Sequence, residues 1–491
     1  MIKLSAAEIA AMTNGTIAAP GIRDSTGESG IPGISTYAGA VVTGPVVVDS
    51  RQVTPGALFA ALPGEHVDGH DYAAVAAGKG AAAVLAARPL PGVAVPVIVV
   101  SDVTFALGLL AKGVLARLVA AAHGGVTVVG ITGSSGKTST KDLTAQVVER
   151  LGPTIAPVAS LNNEIGLPLT VLRADESTRY LVLEMSARGI GHIAYLTGIA
   201  PPKIAAVLNV GRAHAGEFGS VEAVAKAKGE IVEALPAAAA GGVAVLNADD
   251  PNVAAMAART AARVVTTSVD PGRDADLKAT GITLDELGRA SFTLHTRAGS
   301  APVTLTLHGG HHVANALAAA AVATELGLDV QAVADALTAA TARSKKRMEL
   351  HERPDGVLVV NDAYNANPDS TKAALAALAH LTSGGRRGIA VLGYMAELGD
   401  IAAESHAEAG RLAAQAGAAV VVAVGADAAP VLDGARAADG WQGEAVAADD
   451  PKAAVEELRN RLRPGDVVLV KASKAAGLWE VADGLLAEDD Q

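Results

Sequence analysis

The chain has 491 residues and no cysteine, which excludes disulfides, thiolate metal sites and cysteine nucleophiles together. Half of its residues are hydrophobic, yet aromatics make up only 2% and the net charge is −12, a balance that excludes stacking platforms and cationic surfaces for nucleic acid. At roughly 150 residues per domain the length predicts about three domains, and the cysteine-free composition fits a reducing cytoplasm.

Residues 1–115 read as a small α/β domain. "PVVVDSR" and "VPVIVV" are predicted strands, and "DYAAVAAGKGAAAVL" a helix running into another strand. The Gly/Ser/Thr-rich residues 25–44 predict a loop or hairpin insert. Glu8, Arg23 and Asp24 leave no long apolar core near the start, so no signal peptide is expected. The most apolar stretches, 93–100 and 104–122, are broken by Pro96, Lys112 and Arg117, and no membrane span is predicted.

In residues 116–342 the short apolar runs "VTVVG", "YLVLEM", "KIAAVLNV" and "GVAVLN" are spaced to leave room for crossover helices, a rhythm that implies a mostly parallel sheet. Between the first run and the helical "KDLTAQVVERL" stands "ITGSSGKTST". Gly130 is one residue too early for the P-loop consensus, so the working match is Gly133, Gly136, Lys137 and Thr138, with Ser134, Ser135 and Ser139 filling the loop. Glycines let backbone N–H groups approach phosphate oxygens. Lys137 reaches the β and γ phosphates, and the Thr138 hydroxyl suits Mg²⁺. Ligands of open α/β sheets collect at the carboxyl ends of strands, where Glu184 closes "YLVLEM" and His214 follows "KIAAVLNV". Residues 343–491 repeat the strand and Ala-rich helix rhythm with "GVLVVND", "RGIAVLG", "AAVVVAVG" and "DVVLVKAS", a separate doubly wound domain.

"GITGSSGKTST", "LNNEIGLPLT", "LEMSARG", "NVGRAH", "AKAKGEI", "HHVANALAAAAVA", "RMEL" and "NDAYNANPDS", in that order, resemble the Mur ligase family, the ATP-dependent amide ligases of peptidoglycan precursor synthesis. Within it, "NDAYNANPDS", the early "DSRQVTPGALFAALPGEHVDGHDY" and the lack of an Asp-Asn-Pro-Arg motif are most similar to the members that add D-alanyl-D-alanine to UDP-N-acetylmuramoyl-tripeptide. The resemblance implies an α/β chain of three domains: an N-terminal UDP-binding domain, a central P-loop ATPase with a mostly parallel sheet, and a Rossmann-like C-terminal domain that closes the site. A peptide carboxylate would attack the γ-phosphate of ATP to give an acyl phosphate, which the incoming amine displaces. A cytoplasmic monomer is expected.

By the same resemblance Lys137 is the γ-phosphate lysine, and Thr138, Glu184 and His214 are Mg²⁺ ligands. Asn315 contacts adenine, a position that otherwise reads as a helix N-cap. Arg347 and Asp362 meet the phosphates and ribose, with Tyr364, Asn365 and Asn367 on the closing face; taken alone, "YNANP" reads as a turn. Ser50 and Arg51 meet the UDP diphosphate, and Asn162 and Asn163 face the reacting carboxylate. Tyr394, His192 and Ala472 depart from the Asp, acid and Gly usual at their positions.

The family also implies a carbamoylated lysine after the histidine. Lys226 and Lys228 lie about 200° apart on a helix, so at most one faces the site. Lys226 shares a charged stripe with Glu222, Glu230 and Glu233, whereas Lys228 shares a face with Val224, Ala225, Ile231, Val232 and Leu235. Desolvation would favour the neutral amine that reacts with CO₂, so Lys228 is the expected carbamate and metal ligand. Three rival readings remain: another ligase on this scaffold, such as a folylpolyglutamate synthase, against which "DSRQVTPGALF" speaks; a GTPase, for which no Asn-Lys-x-Asp occurs; and a nucleotide-dependent scaffold without turnover.

Overall fold

The computed structural model describes residues 1–18, 38–64, 67–121, 125–211 and 218–487. They form mixed α/β layers in two compact units. One contains residues 1–130, 152–185 and 194–203, and the other residues 131–151, 186–193 and 204–491.

In the first unit a five-stranded sheet runs Thr16–Ala18, Val97–Val99, Ala83–Ala86, Leu58–Ala60, Val46–Val47 across its width, parallel except at the Thr16–Ala18 edge. The three predicted runs that fall here supply strands, and helix Ala73–Gly78 precedes Ala83–Ala86 as expected. Of the predicted 25–44 insert, residues 25–37 lie outside the described residues; Val41–Val42 pairs antiparallel with Leu4–Ser5. Ser5 caps helix Ala6–Thr13 in a capping box with Glu8, which also binds Arg117 at 2.8 Å. The Ser5 backbone N–H first, then Arg117, hold the Glu8 carboxyl at about 2. The same unit contains strand Tyr180–Glu184, paired parallel with Thr154–Ile155.

In the second unit six strands lie side by side in chain order: Ile204–Val207, Val243–Asn247, Arg263–Ser268, Leu277–Leu284, Arg289–Thr296 and Gly299–His308. The first four are parallel, and the last three form an antiparallel meander that the sequence reading did not resolve. Its last strand alternates buried and exposed residues, as a sheet with one wet face should. Helix His312–Glu325 packs on helix Lys137–Val148. "ALAAAAVA" makes this possible, since a run in which six of eight side chains are alanine lets two helix axes approach closely.

The remaining sheet runs Glu349–Glu352, Leu358–Asn361, Val467–Lys471, Gly388–Gly393, Ala418–Val424, Glu444–Ala448, with all pairs parallel except the first. Its four central strands are buried on both faces, and period-two alternation divides them between two cores. Leu358, Val360, Ala390 and Leu392 enter one, and Val357, Val359, Ile389 and Val391 the other. Burying each such Val or Leu is worth about 1.5–3 kcal/mol, which is why the apolar runs here are unbroken.

Candidate active site

Helix Lys137–Val148 begins directly after Gly136, whose backbone is left-handed at φ 78°. A Cβ there would also lie 2.6 Å from Asn315 Oδ1. Gly136 therefore serves both conformation and clearance. Asn315 is buried as the fourth residue of helix His312–Glu325, which rules out the N-cap alternative. Its Nδ2, which can only donate, lies 3.3 Å from His312 Nδ1, which leaves Oδ1 turned to the loop; burial pushes that imidazole well below its ordinary value. Thr138 is 2% exposed, and Lys137 Nζ donates 2.8 Å to the Gly133 carbonyl. Gly136→Ala is expected to cost about 1–2 kcal/mol through its left-handed backbone. Displacing Asn315 should weaken ADP binding as well, which thermal melts and calorimetric titration check.

The loop is stitched by a residue that the sequence reading passed over. Asn209 Oδ1 accepts the Ser135 N–H at 2.9 Å, Asn209 Nδ2 donates to the Ser135 carbonyl at 3.2 Å, and its own carbonyl accepts the Ser134 N–H at 3.1 Å. The neighbouring turn is pinned in its turn: Gly211 N–H donates to Ser134 Oγ at 2.8 Å, Val210 N–H to Asp250 at 2.7 Å, and Asn247 Nδ2 to the Leu208 carbonyl at 2.9 Å. Asn209 carried nearly the same signal as Glu184, a polar side chain closing an apolar run, "VLN" here and "VLE" there. His214, which follows, lies outside the described residues.

Helix Val221–Glu233 starts at the Ser220 cap and buries Lys228 to 2% exposure, while Lys226 faces solvent. Burial, and secondly the positive charge of Lys137, push the Lys228 ammonium well below its ordinary value. The predicted charged stripe needs one correction. Glu230 is buried, and its Oε1 accepts the Gly191 N–H at 2.6 Å. A carboxylate four residues from an exposed lysine has here turned inward to a backbone donor.

In the first unit Glu184 ends its strand at 2% exposure, and its Oε1 accepts from Asn162 Nδ2 at 2.6 Å. Two predicted residues are thus in contact. Asn163 instead turns to its own backbone, its Oδ1 accepting the Gly166 N–H at 2.9 Å just ahead of helix Gly166–Val171. Arg51 follows Ser50 in a short 3₁₀ turn, exposed and bound through Nη2 to Asp49 at 2.8 Å; that guanidinium holds the Asp49 carboxyl at about 2. Among the described residues no three His, Asp or Glu side chains form a ready metal cluster.

In the C-terminal sheet region Arg347 stacks over the Tyr364 ring at 4.4 Å, and Lys346, left-handed at φ 61°, over Trp479 at 3.8 Å. Asp362 accepts the Met348 N–H at 3.1 Å and the buried Lys471 ammonium at 2.6 Å; Lys471 also donates to the Asn365 carbonyl at 3.1 Å. Asn367 caps helix Pro368–Thr382 and donates to the Ser134 carbonyl. Of the three departures, Tyr394 stacks on buried His406 and His192 opens helix His192–Ile199. Ala472 packs against Gly393, where a Cβ would come within 2.9 Å of its own.

These features agree with three domain matches: "Mur ligase family, catalytic domain" over residues 45–114, "Mur ligase middle domain" over 131–323, and "Mur ligase, glutamate ligase domain" over 346–474. The chain is 50% identical to the UDP-N-acetylmuramoyl-tripeptide--D-alanyl-D-alanine ligase of Mycobacterium bovis, over 100% of this chain and 99% of the relative. The chain belongs to the Mur ligase family. The Escherichia coli ligase of the same name is 37% identical over 90% of this Mur ligase and 93% of its own length. Among solved structures, MurF from Acinetobacter baumannii superposes with a TM-score of 0.82 at 29% identity, covering 99% of each chain. MurF from Thermotoga maritima in complex with ADP gives 0.77 at 29% identity, covering 91% of this Mur ligase and 98% of that chain. The three-domain α/β fold expected of a Mur ligase is therefore the one this chain has.

Proposed function

We propose that this chain is the ATP-dependent ligase that joins D-alanyl-D-alanine to UDP-N-acetylmuramoyl-tripeptide, releasing ADP and phosphate. What carries the reading is full-length likeness to ligases of that name, together with a phosphate loop built as the chemistry needs. The tripeptide's terminal carboxylate oxygen attacks the γ-phosphorus and ADP leaves. The dipeptide amine then attacks the acyl carbon, the C–O bond to phosphate breaks, and the amine proton passes to solvent. A carboxylate is a poor acylating agent, so phosphorylation supplies its leaving group, and positioning with charge neutralisation supplies the rate.

The buried Thr138 hydroxyl and Glu184 carboxylate are hard oxygen donors of the kind Mg²⁺ takes, so they fit the metal that the family implies. With His214 and carbamoylated Lys228 they would hold it, and it would neutralise charge on the transferred phosphoryl group. Lys137 and the loop residues 133–139 bind the triphosphate, with Asn315 at the adenine. Arg347 and Asp362 serve the phosphates and ribose, Ser50 and Arg51 the UDP diphosphate, Asn162 and Asn163 the reacting carboxylate, and Tyr364 and Asn365 the amine side. The domains run 1–115, 116–342 and 343–491, and a monomer acts in the cytoplasm; no helix of the described residues is long and apolar enough to cross a membrane.

The test is ADP release by the full chain with UDP-N-acetylmuramoyl-tripeptide and a panel of amines. D-alanyl-D-alanine should outperform diaminopimelate, lysine and glutamate by at least about 100-fold, because a site built for one polar amine leaves its donors unpaired with another. A panel led by a single amino acid would overturn the donor and leave the ligase.

A further inference from the structure

Asn367 divides its side-chain amide between two tasks. Oδ1 accepts the Ser370 N–H at 2.9 Å while Ser370 Oγ accepts the Asn367 N–H at 3.0 Å, which completes a capping box on helix Pro368–Thr382. The cap needs nothing from Nδ2. That group donates 3.3 Å to the Ser134 carbonyl, in the middle of the phosphate loop, and both residues are buried.

From the side of the loop the same bond fills a gap. The Ser134 N–H goes to the Asn209 carbonyl and its Oγ accepts from Gly211, so the carbonyl is the polar group that the second strand end does not serve. A buried carbonyl needs a donor. Two residues beyond the cap, Asp369 lies against Gly211 so closely that a Cβ on Gly211 would collide with its carboxylate. Gly211 is not among the left-handed glycines, so clearance rather than backbone conformation is what a side chain there would disturb.

We infer that Asn367 is a positioning residue that holds the phosphate loop from the C-terminal domain, with Gly211 as the clearance that lets the helix reach it. The inference rests on reading residues 133–139 as the nucleotide site. Tyr364 and Asn365 lie in the loop that leads into this helix, so a contact that tightens nucleotide binding also sets the amine-side loop; by linkage each favours the other.

Calorimetric titration of the full chain with ADP alone tests this without the peptide substrates. Asn367→Ser keeps a good N-cap and removes the donor amide. It should fold cooperatively and bind ADP about 2- to 10-fold more weakly, the range of one net hydrogen bond. Gly211→Ala, which leaves the cap untouched, should weaken ADP in the same range. The double variant should be little worse than either single one, because both changes break one contact. Should Asn367→Ser not fold, Asn367→Asp caps as well, lacks the donor and takes its place. Wild-type ADP affinity in a folded cap-retaining variant, wild-type affinity in Gly211→Ala, or full additivity in the double variant would each overturn the inference. Failure to turn over D-alanyl-D-alanine would overturn the substrate reading alone, since ADP binding does not depend on it.

Discussion

Replacement of Lys137 by alanine is expected to abolish ligation and leave the fold standing. In the structure its ammonium rests on the Gly133 carbonyl four residues back, so it already lies over the loop that would cradle the phosphates. Releasing that carbonyl costs about 1 kcal/mol, the net worth of an ordinary hydrogen bond, which a charge-assisted contact to the arriving γ-phosphate more than offsets. During transfer, negative charge spreads over the phosphoryl oxygens in a site that excludes water, where a fixed cation counts for most. A fall in kcat of about 10²–10³ or more should follow, of the size seen when one such donor is removed. Stability should change little, since the side chain is only part-buried at the first turn of its helix. Thermal melts beside ADP-release rates decide the matter, and near-normal turnover in a folded variant would end the phosphate-loop assignment.

Why this loop was legible from sequence and its supports were not follows from what each depends on. Gly136, Lys137 and Thr138 act through residue type at fixed spacing, because a left-handed turn admits glycine and the helix behind it sets where the lysine starts. Lys228 was legible through helix geometry, since 100° per residue separates it from Lys226 whatever the tertiary structure. The four central C-terminal strands were legible because both faces are buried, which leaves unbroken apolar runs. The same rule hid the meander of residues 277–308, whose alternating residues read weakly beside such runs. Asn209 and Asn367 were harder: each acts on the Ser134–Ser135 peptide from more than 70 residues away, and that pairing depends on which strand end and helix end meet. Glu230 misled for a related reason, since helix spacing gives a direction and only the packed Gly191 N–H says that the carboxylate points inward.

Lys228 carries the second large effect, with activity and stability moving in opposite directions. Its ammonium is buried beside the positive charge of Lys137, and both circumstances favour the neutral amine. Each pKa unit of depression corresponds to about 1.4 kcal/mol of lost stability at pH values where the unfolded chain keeps its proton. Lys228→Met, of similar volume and without charge, should therefore raise stability at pH 7 in CO₂-free buffer. The sign has a pH signature. Because the folded-state value is depressed, wild-type stability rises with pH toward the ordinary lysine value of 10.5, and the advantage of the methionine variant shrinks over that window. The same variant should lose most of its activity, since it cannot form the carbamate. To form it, the neutral Nζ would attack the carbon of CO₂ and give up one proton, and the resulting anion would set a negative charge beside Lys137. Lys228→Ala should be nearly inactive and partly rescued by formate, while Lys226→Ala stays close to wild type. The two lysines are also coupled: removing the Lys137 charge relieves one of the two causes of the depression, so in Lys137→Ala the Lys228 carbamate, followed by ¹³C NMR under labelled CO₂, should form only at higher pH than in wild type. An unchanged carbamate titration in that variant would show that burial alone sets the reactivity of Lys228, and a full-activity Lys228→Ala would remove the carbamate from the mechanism.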